Sequence, residues 1–222
     1  MKKQLFAIAS VLMLAGAVSF TSCKKEDTTA PTITITGGTA QSQSLPNTAN
    51  GGTWTNPTAT ATDDEDGDIS SSITVTGTVD PNTKGTYTLT YSVSDAAGNT
   101  ATETVTVDIV NDAEFMAGSY AGDDTCQQST VLPYSSPWTA SSTVNNKVTI
   151  GNFGGFGQSV LVNATATGGN INFTVPFVLI GQASVSSATG TYTANGNSVT
   201  ASVVYQWTDG TSTELCTSTY TK

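Results

Sequence analysis

The chain has 222 residues, of which 17 are acidic and 7 basic, and its formal net charge is −10 at pH 7. Every basic residue is a lysine and histidine is absent, which argues against a nucleic-acid-binding surface and excludes histidine-based catalytic triads. Charged residues make up only 11% of the chain, whereas threonine, serine and glycine are abundant. We therefore expect an all-β protein.

The first 22 residues have the parts of a secretory signal. Two lysines precede an apolar stretch from Leu5 to Val18, and small residues lead up to Cys23. The stretch is shorter than the roughly 20 apolar residues that a membrane span needs. This arrangement resembles a bacterial lipoprotein signal peptide with its lipobox, although Phe20 stands where many lipoboxes carry leucine.

The resemblance implies that residues 1–22 are removed and that Cys23 is lipidated, for example with palmitate. Several acyl chains would then hold the protein in a membrane. Residues 23–30 are predicted to form a solvated tether. We expect an outer-membrane location on either the periplasmic or the cell-surface face.

Residues 31–110 are predicted to form a first all-β unit. Four segments alternate apolar and polar residues as half-buried strands do. Turn signals rich in aspartate, asparagine, proline and glycine separate them, which is typical of a β-sandwich. The four segments are Pro31–Thr36, Ile73–Thr76, Thr86–Val93 and Thr104–Ile109.

This unit resembles the Ig-like modules of bacterial surface proteins, the HYR and crystal-toxin-associated Ig-like families. The resemblance implies an Ig-like sandwich that acts as a spacer or adhesion repeat. It is carried by spaced motifs: Ala30-Pro31 before an isoleucine-rich strand, Ala61–Ile69, Gly85–Tyr91 and Ser94–Asn99.

The acidic run near residue 65 has two interpretations. Carboxylate oxygens are the ligands that Ca²⁺ prefers, so one interpretation is a calcium site. The default is a solvated turn that accepts local backbone N–H groups, and we predict no other cofactor. The calcium ligands would be Asp63, Asp64, Asp66, Asp68 and Asp95.

Residues 115–222 are predicted to form a second all-β unit after a polar boundary at Asn111–Glu114. Successive hairpins with short turns indicate an up-and-down meander that curls into a barrel and so hides its edges. The turns fall at Asn145-Asn146, Gly168-Gly169 and Asn195–Asn197.

The opening Phe-x-x-Gly-x-Tyr of residues 115–120 and the hairpin order resemble the small lipocalin-like barrels of surface lipoproteins in Gram-negative gut-type bacteria. Cys126 lies near the first barrel strand and Cys216 in the last. In an oxidising compartment this isolated pair predicts a disulfide. Two free thiols, or part of a metal site, are the alternatives.

Aromatic residues of the second unit are the candidate ligand contacts. Trp207 precedes a turn and suits a barrel rim, where its ring and the nearby Asp209 could bind a sugar. The same rings could instead fill the barrel core. The candidates are Trp138, Phe153, Phe156, Trp207 and Asp209.

These features favour an envelope-anchored binding lipoprotein that contacts a glycan, or an outer-membrane uptake complex, as an accessory to nutrient uptake. A structural or adhesive surface protein with an Ig-like spacer is the alternative, and a lipocalin-like carrier of a small apolar molecule is the third. We do not expect an enzyme, because the acidic residues of the second unit show no spacing that predicts a shared catalytic cleft.

Overall fold

The computed structural model describes residues 26–129, 131–157, 159–179 and 183–222. Cys23 and the predicted signal peptide lie outside these residues. The described chain is all-β, as expected, and contains three short 3₁₀ turns. No helix within the described residues has the length and apolar character that a membrane crossing requires.

The first unit is a sandwich of two sheets. One sheet has the order β1-β3-β4 and the other β2-β7-β6-β5, in which β2 runs parallel to β7 and the other neighbours are antiparallel. The strands are β1 (Thr32–Ile35), β2 (Ala40–Ser44), β3 (Ala59–Asp63), β4 (Gly67–Asp68), β5 (Thr74–Thr76), β6 (Gly85–Ser94) and β7 (Thr100–Val110).

The predicted alternation of apolar and polar residues determines which side chains form the sandwich core. Leu89 and Tyr91 of β6 face inward beside Val105, Val107 and Ile109 of β7, and all five are nearly inaccessible to solvent. Burying each such side chain contributes about 1.5–3 kcal/mol to stability. The threonines between them face outward, so the period of two holds over both strands.

The second unit is an eight-stranded antiparallel barrel, the strand number and connectivity of lipocalin-like folds. Its strands follow one another around the barrel, and β8 and β16 close it. They are β8 (Gly118–Cys126), β9 (Tyr134–Ala140), β10 (Lys147–Gly151), β11 (Leu161–Thr167), β12 (Asn170–Phe173), β14 (Ser184–Asn195), β15 (Ser198–Thr208) and β16 (Thr213–Thr221); the short β13 (Phe177–Val178) pairs with β14.

The two later hairpin turns form as predicted, but Asn145 and Asn146, although they lie in a turn, do not join the strands as a two-residue hairpin. β9 ends at Ala140 and β10 begins at Lys147, so residues 141–146 form a longer connection. The amides of this connection bond to the domain boundary instead of closing a tight turn.

The domain boundary is a hydrogen-bonded joint centred on Asn111, which is 2% exposed. Its Nδ2 donates to the carbonyl oxygens of Ser141 at 2.9 Å and Lys147 at 3.1 Å, and its Oδ1 accepts the backbone N–H of Asn146 at 2.9 Å. The boundary is therefore fixed to the barrel through one amide side chain.

Further bonds connect the sandwich and the barrel around this joint. The backbone N–H of Asn145 donates to the Pro46 carbonyl at 2.8 Å, and Asn145 also exchanges two side-chain bonds with Asp112. Lys84 pairs with Glu114 at 2.8 Å. The two units are thus held in one relative orientation.

The seam between β8 and β16 carries the disulfide. Cys126 and Cys216 lie directly opposite each other and are bonded, which confirms the predicted pairing. The bridge closes a loop of 90 residues. On the chain-entropy model such a loop stabilises the fold by about 4–5 kcal/mol.

A buried carboxylate holds four barrel strands together below the disulfide. Asp124 of β8 is 3% exposed and accepts hydrogen bonds from the hydroxyls of Tyr134, Tyr205 and Ser218. Tyr134 also contacts the hydroxyl of Tyr220, to which Gly154 donates its N–H. A buried charge needs such a set of donors to be stable.

We expect Asn111→Ala to lower the free energy of unfolding by about 1–3 kcal/mol, because the substitution leaves buried carbonyl and N–H groups unpaired. Guanidinium unfolding measures the loss, and small-angle scattering should show a broader distribution of domain orientations. Asn163→Ala, at an exposed asparagine of β11, is the matched control. Superimposable unfolding and scattering curves for Asn111→Ala and the wild type would show that the joint does not hold the units.

We also predict an alkaline unfolding transition. Burial raises the pKa values of Tyr134, Tyr205 and Tyr220 above the ordinary value. Because the folded protein keeps these phenols neutral, they contribute stability that is fully present below about pH 10, the ordinary tyrosine pKa. This stability is lost as the pH rises above that value. Absorbance at 295 nm should show these hydroxyls ionising only as near-ultraviolet circular dichroism is lost. Reversible ionisation of all seven tyrosines near pH 10, with intact dichroism, would contradict this prediction.

Candidate functional site

The barrel has two different ends. The end at which β8 begins and β9 finishes lies against the sandwich through the Asn111 joint. The opposite end holds the close of β15, the start of β16 and the connection around Phe153–Gly155. We call this second end the mouth and define it by Phe156, Phe177, Trp207 and Glu214.

Trp207 faces inward at the mouth and is partly exposed. Its ring meets that of Phe156 edge to face, with centroids 5.5 Å apart and an interplanar angle of 71°. The indole Nε1 is buried and has no hydrogen-bond partner among the described residues. An unpaired buried donor is rare in native proteins and marks a position that a ligand or water could satisfy.

Glu214 supplies a carboxylate to the mouth. The side chain is 6% exposed, and its Oε2 accepts a hydrogen bond from Ser129 Oγ at 2.7 Å. One of its oxygens lies within 4.8 Å of the sulfur atoms of Cys126 and Cys216. The two cysteines are bonded to each other, so they do not offer a metal site.

Two predicted ligand residues are part of the core, so their assignment to a ligand site was wrong. Trp138 is 1% exposed, stacks on Tyr120 at 4.6 Å and donates its indole N–H to Ser136. Phe153 is fully buried and packs edge to face on Tyr205 at 4.9 Å. Both rings stabilise the barrel interior and are not available to an external ligand.

Asp209 forms the turn beside the mouth. It is exposed, but its Oδ1 accepts the backbone N–H groups of Thr211 at 2.8 Å and Ser212 at 2.7 Å. These bonds lower the pKa of Asp209 to about 2, and the bond from Ser212 has the largest effect. The carboxylate therefore closes the turn between β15 and β16, which positions Trp207 and Glu214 on either side of it.

Sequence reasoning did not include Glu214 among the ligand candidates. The sequence nevertheless contained a signal. Every second residue of β16 faces inward, and these residues are Glu214, Cys216, Ser218 and Tyr220. A disulfide at Cys216 fixes which face of the strand is internal. Glu214 lies two residues before Cys216 and therefore on the same face, so the pattern indicates an inward carboxylate next to the β15–β16 turn.

The outer barrel wall carries a polar groove of about 440 Å³. Its lining includes Lys147, Asn163, Asn172 and Phe173. The groove therefore offers amide and ammonium groups beside one aromatic side chain. It is a second polar surface against which the mouth can be compared in experiments.

The predicted acidic residues lie together at the end of the sandwich remote from the barrel, but most are engaged in local bonds. Asp66 accepts the N–H of Ala96 at 2.6 Å, Asp68 accepts from Ser70, and both oxygens of Asp95 accept from Asn99. Of the predicted calcium set, Asp63 and Asp64 belong to a group of three carboxylates whose ligand oxygens lie within 4.8 Å of one another, and the third member is Asp27.

Comparison with known proteins gives one family match. Residues 26–109 match the family described as "Bacterial surface protein, Ig-like domain". No curated protein matches the chain.

Two solved structures show low similarity. The lipoprotein BT2262 from Bacteroides thetaiotaomicron is 18% identical with a TM-score of 0.38, over 86% of this chain and 99% of that one. A Clostridium perfringens ZmpB structure, containing CBM51-2 in complex with GlcNAc and INT domains, is 16% identical with a TM-score of 0.29. That match covers 79% of this chain but only 29% of the other, and neither likeness indicates what this chain binds. The family match and the fold thus agree that residues 26–109 are similar to a bacterial surface protein Ig-like domain, and an eight-stranded β-barrel follows them.

Proposed function

We propose that this chain is an envelope-anchored binding lipoprotein whose barrel mouth takes up a glycan. The anchor would be the acylated Cys23, and the Ig-like domain would act as the spacer between the membrane and the barrel. An outer-membrane uptake complex is the partner that would receive the glycan. The observation that carries the proposal is the unpartnered indole N–H of Trp207 beside half-exposed rings and the Glu214 carboxylate.

The direction of the strands supports this arrangement. β7 begins beside Asn99, which contacts the segment entering from the N-terminus, and ends at the Asn111 joint. Its eleven residues span about 35 Å. The barrel adds its own length beyond the joint, and the mouth lies at its far end. A ligand site there faces away from the membrane.

The chemistry of the mouth suits part of a sugar. The apolar faces of a sugar ring pack on aromatic side chains, and its hydroxyls can accept from an indole N–H and donate to a carboxylate. Phe156 and Trp207 are inclined by 71°, so they form a corner and not a flat platform. A corner would enclose one sugar unit at the end of a chain.

A specific observation also favours the adhesive alternative. Three aliphatic side chains near the mouth are strongly exposed: Leu132 at 80%, Val178 at 70% and Leu161 at 66%. Exposed aliphatic groups at one end of a molecule are typical of contact with another protein. In that case the Ig-like domain would again act as a spacer, but the ligand would be a protein surface.

The carrier alternative has less support. Fully buried rings of Tyr120, Trp138, Phe153, Tyr205 and Tyr220 occupy the barrel interior. A carrier of a small apolar molecule needs an open lumen lined by apolar groups. These rings occupy interior space that such a carrier would leave open.

Trp207→Phe is the sharpest test, because it keeps an apolar ring and removes only the unpartnered donor. We expect the thermal midpoint to stay the same or rise, since an unsatisfied buried N–H is destabilising. We expect glycan affinity to fall by about fivefold to tenfold, the effect of one lost hydrogen bond. A glycan array identifies the ligand, and calorimetry measures both proteins.

Trp54→Phe is the matched control, because the Trp54 indole N–H already donates to Asn56 at 2.7 Å in the Ig-like domain. Asn163→Ala tests the outer groove. Glycan binding that is weakened by Asn163→Ala and unchanged by Trp207→Phe would place the site on the outer wall. If no glycan binds and Leu132→Ser abolishes capture of a surface protein, the adhesive alternative is correct.

A further inference from the structure

Three carboxylates converge where the N-terminal segment meets the sandwich. Asp63 ends β3, Asp64 begins the following turn, and Asp27 lies in the segment before β1. One oxygen from each lies within 4.8 Å of those of the other two. The cluster therefore joins two separate parts of the chain, and its charges repel one another unless a cation neutralises them.

Asp63 provides an independent indication of a ligand. It is only 9% exposed, and its Oδ1 accepts the backbone N–H groups of Glu65 and Asp66, each at 3.0 Å. Its Oδ2 is also buried but has no hydrogen-bond partner in the part of the chain that the structure describes. A buried carboxylate oxygen without a partner is costly and indicates an ion or water at that position.

The segment that carries Asp27 is already held against the sandwich. The backbone oxygen of Asp27 accepts a hydrogen bond from Asn99 Nδ2 at 3.2 Å. Asn99 is fixed in turn by Asp95, which accepts its backbone N–H and its side-chain amide, both at 2.8 Å. Asp95 and Asn99 thus position the third carboxylate and do not need to be ligands themselves.

We infer that Asp27, Asp63 and Asp64 bind a calcium ion that fastens the membrane-side segment to the Ig-like domain. The donors are all oxygens, which suits a hard cation. Calcium accepts irregular sets of carboxylates, carbonyls and waters, whereas magnesium requires near-ideal octahedral geometry and retains its waters. Zinc prefers histidine and cysteine ligands, and this cluster offers neither.

The inference goes beyond ligand binding at the mouth, because it concerns how the domain is held at its anchor. With the ion bound, residues 27–31 would be fixed to the turn between β3 and β4. Without the ion, the hydrogen bond from Asn99 is the contact that remains between Asp27 and the β6–β7 turn. The spacer would therefore stiffen at the calcium concentrations found outside cells.

Calorimetry of the full chain after chelator treatment tests the inference, with CaCl₂ as the titrant and MgCl₂ in a parallel run. We expect one calcium site with a dissociation constant between about 10⁻⁶ and 10⁻³ M and weaker magnesium binding. Calcium should raise the thermal midpoint and slow hydrogen exchange of the peptide covering residues 26–31. Absence of calcium binding to the wild type at millimolar concentration would overturn the inference.

Asp27→Asn and Asp63→Asn should each weaken calcium binding at least tenfold. Asp27 lies outside every strand, so its substitution keeps the test valid even if Asp63→Asn disturbs the fold. Asp68→Asn is the matched control, because Asp68 belongs to the same acidic run but lies outside the cluster. Calcium binding that survives Asp27→Asn at full strength would show that the ion does not fasten the N-terminal segment.

Discussion

The arrangement of this protein depends on the amide of Asn111. A polar boundary between two β-units would ordinarily permit them to move relative to each other. Here the amide is 2% exposed and bonds to three carbonyls and two N–H groups, so the barrel has one orientation on the sandwich. Because β7 leads directly into this joint, the mouth is directed away from the end of the sandwich that the N-terminal segment contacts. Without the joint, the mouth would have no fixed direction.

The sequence predicts those parts of the fold that follow from local patterns. Alternating threonine and apolar residues define β6 and β7, and Gly168-Gly169 sets one of the hairpins. The longer connection at Asn145 could not be predicted. Its asparagines have the turn preference that the sequence indicates, but Asn145 bonds to Asp112, 33 residues earlier, and Asn146 bonds to Asn111, 35 residues earlier. Long-range partners of this kind leave no periodic signal.

A pattern that alternates every two residues also does not reveal how deep a side chain lies inside a barrel. Trp138 and Trp207 both face inward, yet one is sealed in the core and the other reaches the mouth. Their depth depends on how far each strand is offset from its neighbours around the barrel, a property of the closed sheet. The sequence could therefore identify Trp207 as a rim residue only through the turn at Asp209 that follows it.

The two ends of the molecule have a common physical feature, which is a buried polar atom without a partner. Among the described residues, it is the Asp63 Oδ2 acceptor beside the N-terminal segment and the Trp207 Nε1 donor at the mouth. An unpaired acceptor among carboxylates calls for a cation, whereas an unpaired donor beside aromatic rings calls for a polar acceptor such as a hydroxyl. The two atoms lie at opposite ends of the molecule, so one small ligand cannot contact both. The sandwich and the Asn111 joint separate these ends, so a ligand at one end would not contact a ligand at the other. A cation bound beside the N-terminal segment would therefore change the direction and stiffness with which the mouth is presented, and would leave the intrinsic affinity of the mouth unchanged.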